Sequence, residues 1–355
     1  MEKKPGDSNR ITREYFDSIL LEMRHIGAVL PNTSMEFFGQ QFATPVMTAA
    51  LSHLAQFGYH KDGMVELAKG AAVAGAVMWA GMGSEDELER IVATGASTVK
   101  ICKPEADNDV VIRKLRHAES LGCIAVGIDL DHAFNSKGEY DEIEGMPMRP
   151  KSFEELRGFV QAVNLPFIVK GVLSVRDALL CMDAGVAGIV VSHHHGIMDY
   201  AAPPLMVLPE IVATVATTQN KKGFARDVSK ADAGRRNGKM QIYVDCGIDN
   251  GYDVFKCLAL GADAVCAGRS LLPALSEKGG DGAAETIRSI TQELAGAMAR
   301  TASARLEDIS ADLLRLLCSN QQILPPAKIL PPTKILPPTG VLPSARVLSS
   351  AEIWV

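Results

Sequence analysis

Positive charge is not in surplus in this chain. Over 355 residues, 36 Lys and Arg stand against 42 Asp and Glu, a formal net charge of −6, with an isoelectric point near 5.8. A nucleic-acid-binding surface needs a large basic footprint, so that class of partner is excluded. No apolar run approaches the ~18 residues needed to span a bilayer. The first ten residues, MEKKPGDSNR, lack the apolar core of a signal peptide. A disulfide frame is missing too. The seven cysteines (Cys102, Cys123, Cys181, Cys246, Cys257, Cys266 and Cys318) are odd in number and lie mostly in apolar stretches. They read as buried thiols of a reducing compartment. The expectation is a cytoplasmic protein with no membrane span. With 47% hydrophobic and 22% charged residues, a packed core is available and wholesale disorder is excluded.

Eight short apolar runs organise what is there: PVMTAAL (45–51), AVMWAGM (76–82), TVKICK (98–103), AVGIDL (125–130), PFIVKGV (166–172), GIVVSHH (188–194), QIYVDCG (241–247) and AVCAGRS (264–270). Continuous hydrophobicity at strand length marks parallel strands covered on both faces. Helical patterns fill the intervals. Several end in Gly just before the next run, as a left-handed cap requires. Ser174 and Asp249 stand where N-caps would start their helices. Eight β-then-α units predict a (β/α)8 TIM barrel rather than an open doubly wound sheet. The barrel is expected over 41–320, after a helical extension (1–40) and before a Pro-rich extended tail (321–355).

Two segments break the rhythm. Residues 218–240 are polar and basic, between a helix and the seventh run, and predict a loop on the N-terminal face of the barrel. From Ile323 the chain reads ILPPAK, ILPPTK, ILPPTG, VLPSAR, a decaying six-residue repeat. Its paired prolines favour an extended arm over a further domain.

Barrel chemistry occurs where strands end. The fourth run ends near Asp129, the fifth near Lys170, the sixth at Ser192 and His193-His194-His195, and the seventh at Asp245-Cys246-Gly247. The eighth ends at Gly268-Arg269. Glycines at two consecutive strand ends, with an Arg, suit a phosphate. A phosphate-anchored ring cofactor would lie across the mouth. Lys170 could then stabilise negative charge on the ring, His194 could take a proton from substrate, and Asp129 could hold the imidazolium.

The stretch PFIVKGVLSVRDALLCMDAGVAGIVVSHHHG, followed by QIYVDCGIDNGYDVFKCLALGADAVCAGRSLL, resembles the FMN-dependent α-hydroxy acid oxidase and dehydrogenase family. The likeness runs from about residue 40 to 318 and is strongest over 166–270. The resemblance implies an FMN cofactor, a small-molecule substrate and a homo-oligomer. It assigns His194 as base, Asp129 as its support and Lys170 to the flavin edge. Ser192 and Asp245 would meet the flavin and its ribityl chain, and Gly247, Gly268 and Arg269 the phosphate. The backbone of Ala49, Ala50 and Leu51 would cradle the ring, and Lys100 would either replace a Gln beside it or supply a single positive charge at the mouth.

The departures concern substrate. Where the family has His-Gly-Gly-Arg, this chain has His194-His195-Gly196-Ile197, losing an Arg that grips a carboxylate. No Arg follows the fourth run until Arg149, and Cys102 stands where a Tyr is usual. Standard small 2-hydroxy acids are therefore not the expected substrates, and the expected donor is a related hydroxyl-bearing carbon. Two rival readings are a flavin-dependent isomerase resembling type 2 isopentenyl-diphosphate isomerase, and a flavin-bound interaction protein. The His triplet is not expected to bind metal, because alternation along a strand would point neighbouring imidazoles apart and no carboxylate-rich partner motif is present.

Overall fold

The computed structural model describes residues 4–221 and 239–317, together with the short strand Ile323–Leu324. Each of the eight apolar runs contains a strand. These are β1 (Val46–Thr48), β2 (Met78–Ala80), β3 (Thr98–Cys102), β4 (Ala125–Asp129), β5 (Phe167–Val172), β6 (Gly188–Val191), β7 (Gln241–Val244) and β8 (Ala264–Ala267). Helices follow them in turn: α1 (Gly63–Ala74), α2 (Glu85–Val92), α3 (Asn108–Ser120), α4 (Phe153–Gln161), α5 (Val175–Asp183), α6 (Pro204–Lys221), α7 (Gly251–Ala259) and α8 (Leu272–Arg300).

The strands pair in parallel, in the order β1-β8-β7-β6-β5-β4-β3-β2. The seam between β1 and β2 is joined by Thr48 N–H donating to the Val77 carbonyl (3.1 Å) and Gly81 N–H to that of Leu51 (2.8 Å). The result is the (β/α)8 barrel. No helix among the described residues is long and apolar enough to cross a membrane.

Local sequence explains the punctuation. Gly75 closes α1 with φ 67°, and Ser174 caps α5 by accepting the Asp177 N–H. The cap of α7 is Asn250, whose side chain takes the Tyr252 and Asp253 amides, not Asp249. Inward-facing Met47, Trp79, Val99, Ile101, Ile168, Val190 and Tyr243 fill the barrel, while a larger apolar layer packs sheet against helices.

The first forty residues are less helical than expected. Among the described residues there, only Ser8–Asp17 is a helix; Ile19–Leu21 pairs with Leu314–Leu316, and Met35–Phe37 forms a hairpin with Gln40–Phe42. Phe38 and Gly39 both take positive φ (44° and 81°), the conformation of a tight hairpin turn. The hairpin inserts Phe37 into the barrel interior, its ring centroid 5.5 Å from that of Tyr243. In the basic segment, residues 218–221 complete α6; 222–238 lie outside the described residues, as does the tail beyond Leu324.

Gly127 sets the spacing of β4 against its neighbour. A Cβ there would come 2.1 Å from the Ile168 carbonyl oxygen and 2.9 Å from Ile101 Cδ1. Gly127→Ala is expected to cost about 2–3 kcal/mol of stability, read as a lowered urea midpoint. An unchanged midpoint would show that β4 and β5 have slack.

Candidate active site

A cavity of about 390 Å³ opens where the strands end. Its floor is set by register: Lys170 of β5 is the Cα partner of Asp129 of β4, so the two side chains emerge together. Lys170 Nζ lies 3.3 Å from Asp129 Oδ1 and 3.9 Å from Asp245 Oδ2. Asp129 Oδ2 takes a second ammonium, that of Lys103, at 2.9 Å. Burial would push Lys170 down, but Asp129, Asp131 and Asp245 outweigh it and hold the ammonium well above its ordinary range. Burial likewise opposes ionisation of Asp129, yet Lys170, His194 and Lys103 keep its carboxyl well below the usual range.

β6 stops at Val191, and the chain turns sharply. His194 and His195 take φ 47° and 57°, a strained region for side chains of this kind. Ser192 Oγ accepts the His194 N–H at 2.9 Å and steadies the turn. The three imidazoles leave in different directions. His193 Nε2 meets Thr12 Oγ1 (2.7 Å) and His195 Nδ1 meets Asn9 Oδ1 (2.7 Å), both on the N-terminal helix. His194 turns to the cavity floor, with Nδ1 2.6 Å from Asp131 Oδ1 and 2.9 Å from Lys170 Nζ.

Asp131 is the nearest carboxylate to His194; Asp129 stands 3.3 Å from the same nitrogen. A 3₁₀ turn, Leu130–Ala133, carries Asp131 and His132 inward after β4. Gly171 makes room for them. It takes φ 89°, and a Cβ there would fall 2.6 Å from the Asp131 carboxylate carbon. Burial and the Asp129 charge push the Asp131 carboxyl up, and its Oδ2 has no hydrogen-bond partner. For His194, burial lowers the pKa, but Asp129 and Asp131 prevail and raise it.

Asp131, His132 and His194 each offer a donor atom within 4.8 Å of the others, a spacing that a metal ion could use. However, Asp131 and His132 approach opposite nitrogens of His194, so the three donors do not converge on one point.

Ten of the twelve residues singled out in the sequence line this one cavity. Asp129, Lys170, His194 and Asp245 form its polar floor, Ala49, Ala50 and Leu51 one wall, and Gly247, Gly268 and Arg269 the far end. Two stand elsewhere. Ser192 is buried beneath the β6 turn. Lys100 points out of the barrel into a separate cavity between the helices, its ammonium donating to the Gly81 carbonyl. Side chains on β3 alternate, so Val99 and Ile101 face in and Lys100 faces out; the ammonium at the mouth belongs to Lys103. That parity was readable in TVKICK. Asp131 and His132 carried no such signal, because a turn outside any strand positions them. Arg149 is also away from the cavity, held by Glu155 at 3.0 Å.

Arg269 is exposed and makes one described contact, to Asn9 Oδ1 at 3.2 Å. It faces no carboxylate among the described residues, which leaves its fork open to an anion. Beside it, a Cβ on Gly268 would lie 3.2 Å from that of Ala49, a tight contact that a glycine avoids. An anion-ended, polyhydroxylated group with a flat ring fits this donor set.

Comparison with known proteins agrees with that chemistry. The model of the FMN-dependent dehydrogenase family matches residues 3–161 and 148–316. Glycolate oxidase 1 of Oryza sativa subsp. japonica is 27% identical over 340 residues, covering 84% of this chain and 85% of the relative. L-lactate oxidase of Alicycliphilus denitrificans is 27% identical, covering 81% and 82%. Among solved structures, mandelate oxidase superposes with a TM-score of 0.73 at 26% identity, covering 86% of this chain and 88% of that one. A form of mandelate oxidase with a C4a-OH-FMN adduct gives 0.73 at 27%, covering 86% and 90%.

Two substitutions separate the cation at the far end from the one behind β3. Arg269→Ala is expected to weaken FMN retention at least roughly tenfold, the scale of one lost charged hydrogen bond. Lys100→Met should leave it unchanged. Equilibrium dialysis measures both, and the reverse order would return Lys100 to the cofactor.

Proposed function

The chain belongs to the FMN-dependent dehydrogenase family, and from that premise we propose that it oxidises a hydroxyl-bearing carbon with His194 as the base. The observation that carries this reading is the pairing of His194 Nδ1 with Asp131 at 2.6 Å on the floor of the cavity. That contact fixes the ring and turns Nε2 away from Asp131, toward His132 Nε2 at 3.0 Å; a substrate hydroxyl would give its proton to that nitrogen of His194.

FMN, when bound, accepts two electrons and the hydrogen from the alcohol carbon. Arg269 and the backbones at Gly247 and Gly268 would hold its phosphate, Asp245 its ribityl hydroxyls, and Ala49–Leu51 its ring. Lys170 would offer a fixed positive charge on the cavity floor to a ring that gains negative charge when reduced. His194 removes the hydroxyl proton at Nε2. Asp131 stabilises the resulting imidazolium, and Asp129, paired with both Lys103 and Lys170, offsets their charge together with Asp245.

Donor preference follows from charge. Among the described residues the only guanidinium on the cavity belongs to Arg269, at the phosphate end. Lys103 and Lys170 are already paired with carboxylates. A substrate carboxylate beside His194 would be buried near Asp131 without a fork to receive it. Hydroxy esters, hydroxy amides and neutral secondary alcohols are therefore the favoured donors.

The test starts with the visible spectrum of the purified protein and anaerobic bleaching by lactate, mandelate, their methyl esters and neutral alcohols. Esters are expected to bleach faster than the matching acids. His194→Ala should slow bleaching roughly 10²–10⁴-fold; a rate unchanged by it would remove His194 as base.

A pH profile tests the role of Asp131. Only unprotonated His194 accepts a proton, and its pKa is raised, so bleaching should rise with pH through that raised value. Asp131→Asn takes away part of the carboxylate support, and the acid limb should move to lower pH with a lower plateau. A limb that stays in place would assign the support to Asp129 alone.

A further inference from the structure

His132 has no part in the reaction as set out above, yet it touches the base. Its Nε2 lies 3.0 Å from His194 Nε2, with the rings nearly perpendicular (82°) and centroids 4.2 Å apart. Its other nitrogen, Nδ1, lies 3.4 Å from Asp141 Oδ2. Asp141 is itself held in place: its Oδ1 accepts the Glu142 N–H at 3.0 Å, and its own N–H donates to the Ala133 carbonyl at 3.1 Å. The loop after β4 thus folds back and sets a carboxylate behind the second imidazole.

Hydrogen-bond logic fixes the direction of this chain. An ionised carboxylate only accepts, so the nitrogen facing Asp141 carries the hydrogen. Neutral His132 is then the Nδ1–H tautomer with a bare Nε2, so the hydrogen in the 3.0 Å contact belongs to His194 Nε2. With Nδ1–H on Asp131 as well, this geometry is that of the base after it has taken a proton. His194 Nε2 is the atom that takes up the substrate proton, so the acceptor next to it is placed to receive that proton onward. Burial and the positive charges of Lys103 and His194, outweighing Asp129 and Asp141, keep His132 uncharged, with a pKa near 4. The side chains of His132 and Asp141 are each 23% exposed, so the chain ends at solvent.

We propose that His132 and Asp141 form a proton exit for His194. This rests on the reading of His194 as base. Alcohol oxidation releases one O–H proton besides the hydrogen and two electrons that go to FMN. His194 Nε2 takes that proton. The N–H bond at His194 Nε2 then breaks as one forms at His132 Nε2, and the His132 Nδ1–H breaks as an O–H forms on Asp141. Asp141 gives the proton to water, and exchange at the exposed ring restores the starting tautomer. One proton reaches solvent for each donor oxidised. His132 and Asp141 act through His194 and are positioning residues. The charges facing the pair are Lys103 from β3, Asp129 and Asp131 from the end of β4, Lys170 from β5, and His194 itself.

Two measurements test it. Imidazole ¹H–¹⁵N spectra of the full chain, with His132→Phe to assign the signal, report the tautomer without turnover. Nδ1–H with bare Nε2 is expected, and the opposite tautomer overturns the relay. Anaerobic stopped-flow with a pH-indicator dye, using the donor that bleaches fastest in the panel, compares proton release with bleaching. In the unsubstituted protein the two should coincide. In Asp141→Asn and His132→Gly release should lag at least tenfold, and added imidazole should restore it in His132→Gly. Release that keeps pace with bleaching in both variants overturns the proposal. A His194→Ala variant that bleaches at the unsubstituted rate removes the base and the relay with it, whereas a slowed His194→Ala together with release that keeps pace in both variants removes the relay alone.

Discussion

Lys170 lies level with Asp129 across two parallel strands, and the electrostatics of the mouth follow from that pairing. A buried ammonium is tolerable only with a carboxylate beside it, and β4 supplies one at the height where β5 presents the amine. The 3₁₀ turn adds Asp131, β7 adds Asp245 and the end of β3 adds Lys103. Three carboxylates then face two ammoniums within one cavity. The imbalance favours one further proton on the floor, held by His194 or by Asp131. Burial and the Asp129 charge shift Asp131 upward, Asp129 and Asp131 shift His194 upward against burial, and their 2.6 Å separation lets them share the proton.

Backbone strain is spent in the same place. His194, His195 and Cys246 are non-glycine residues at positive φ, and all three follow β6 or β7 at the rim. Each is held by a neighbour: His194 by Ser192, His195 by Asn9, and the Cys246 thiol by Asp245 Oδ1 at 3.0 Å. Continued extended geometry would have sent alternate imidazoles to opposite faces. The left-handed turn delivers only the middle one to the floor and ties the other two to the N-terminal helix. That helix thereby becomes part of the site, although it precedes the barrel in sequence.

The barrel was legible because its signal is local. Each strand is a run of apolar residues, and each helix carries its own caps. The strand-end residues Asp129, Lys170, Asp245 and Gly268 followed from where those runs stop. Lys100 shows the limit of reading motif position without parity: a shift of three residues, from Lys100 to Lys103, separates the helix layer from the mouth. Asp131, His132 and Asp141 were illegible for another reason. They sit on a turn and a loop whose course depends on Gly171 of a neighbouring strand leaving space, a tertiary fact absent from the local pattern. The hairpin at 35–42 was missed similarly, since its two three-residue strands are too short to show a period and gain their stability from Trp79 and Tyr243 inside the barrel.

The loop after β4 joins selectivity to proton handling. In this chain it brings Asp131 and His132 to His194 and no guanidinium. A guanidinium placed there would attract an anionic substrate, but it would also neutralise Asp131 and drain the support that raises His194. Asp131 and a substrate carboxylate compete for the same positive charge, and a floor whose ammoniums are already paired cannot satisfy both. An uncharged donor avoids the conflict: it leaves Asp131 free to hold the imidazolium, and it leaves His132 uncharged beside Nε2. The same residues that make the floor poor at binding a carboxylate therefore make it well suited to taking a proton from a neutral alcohol.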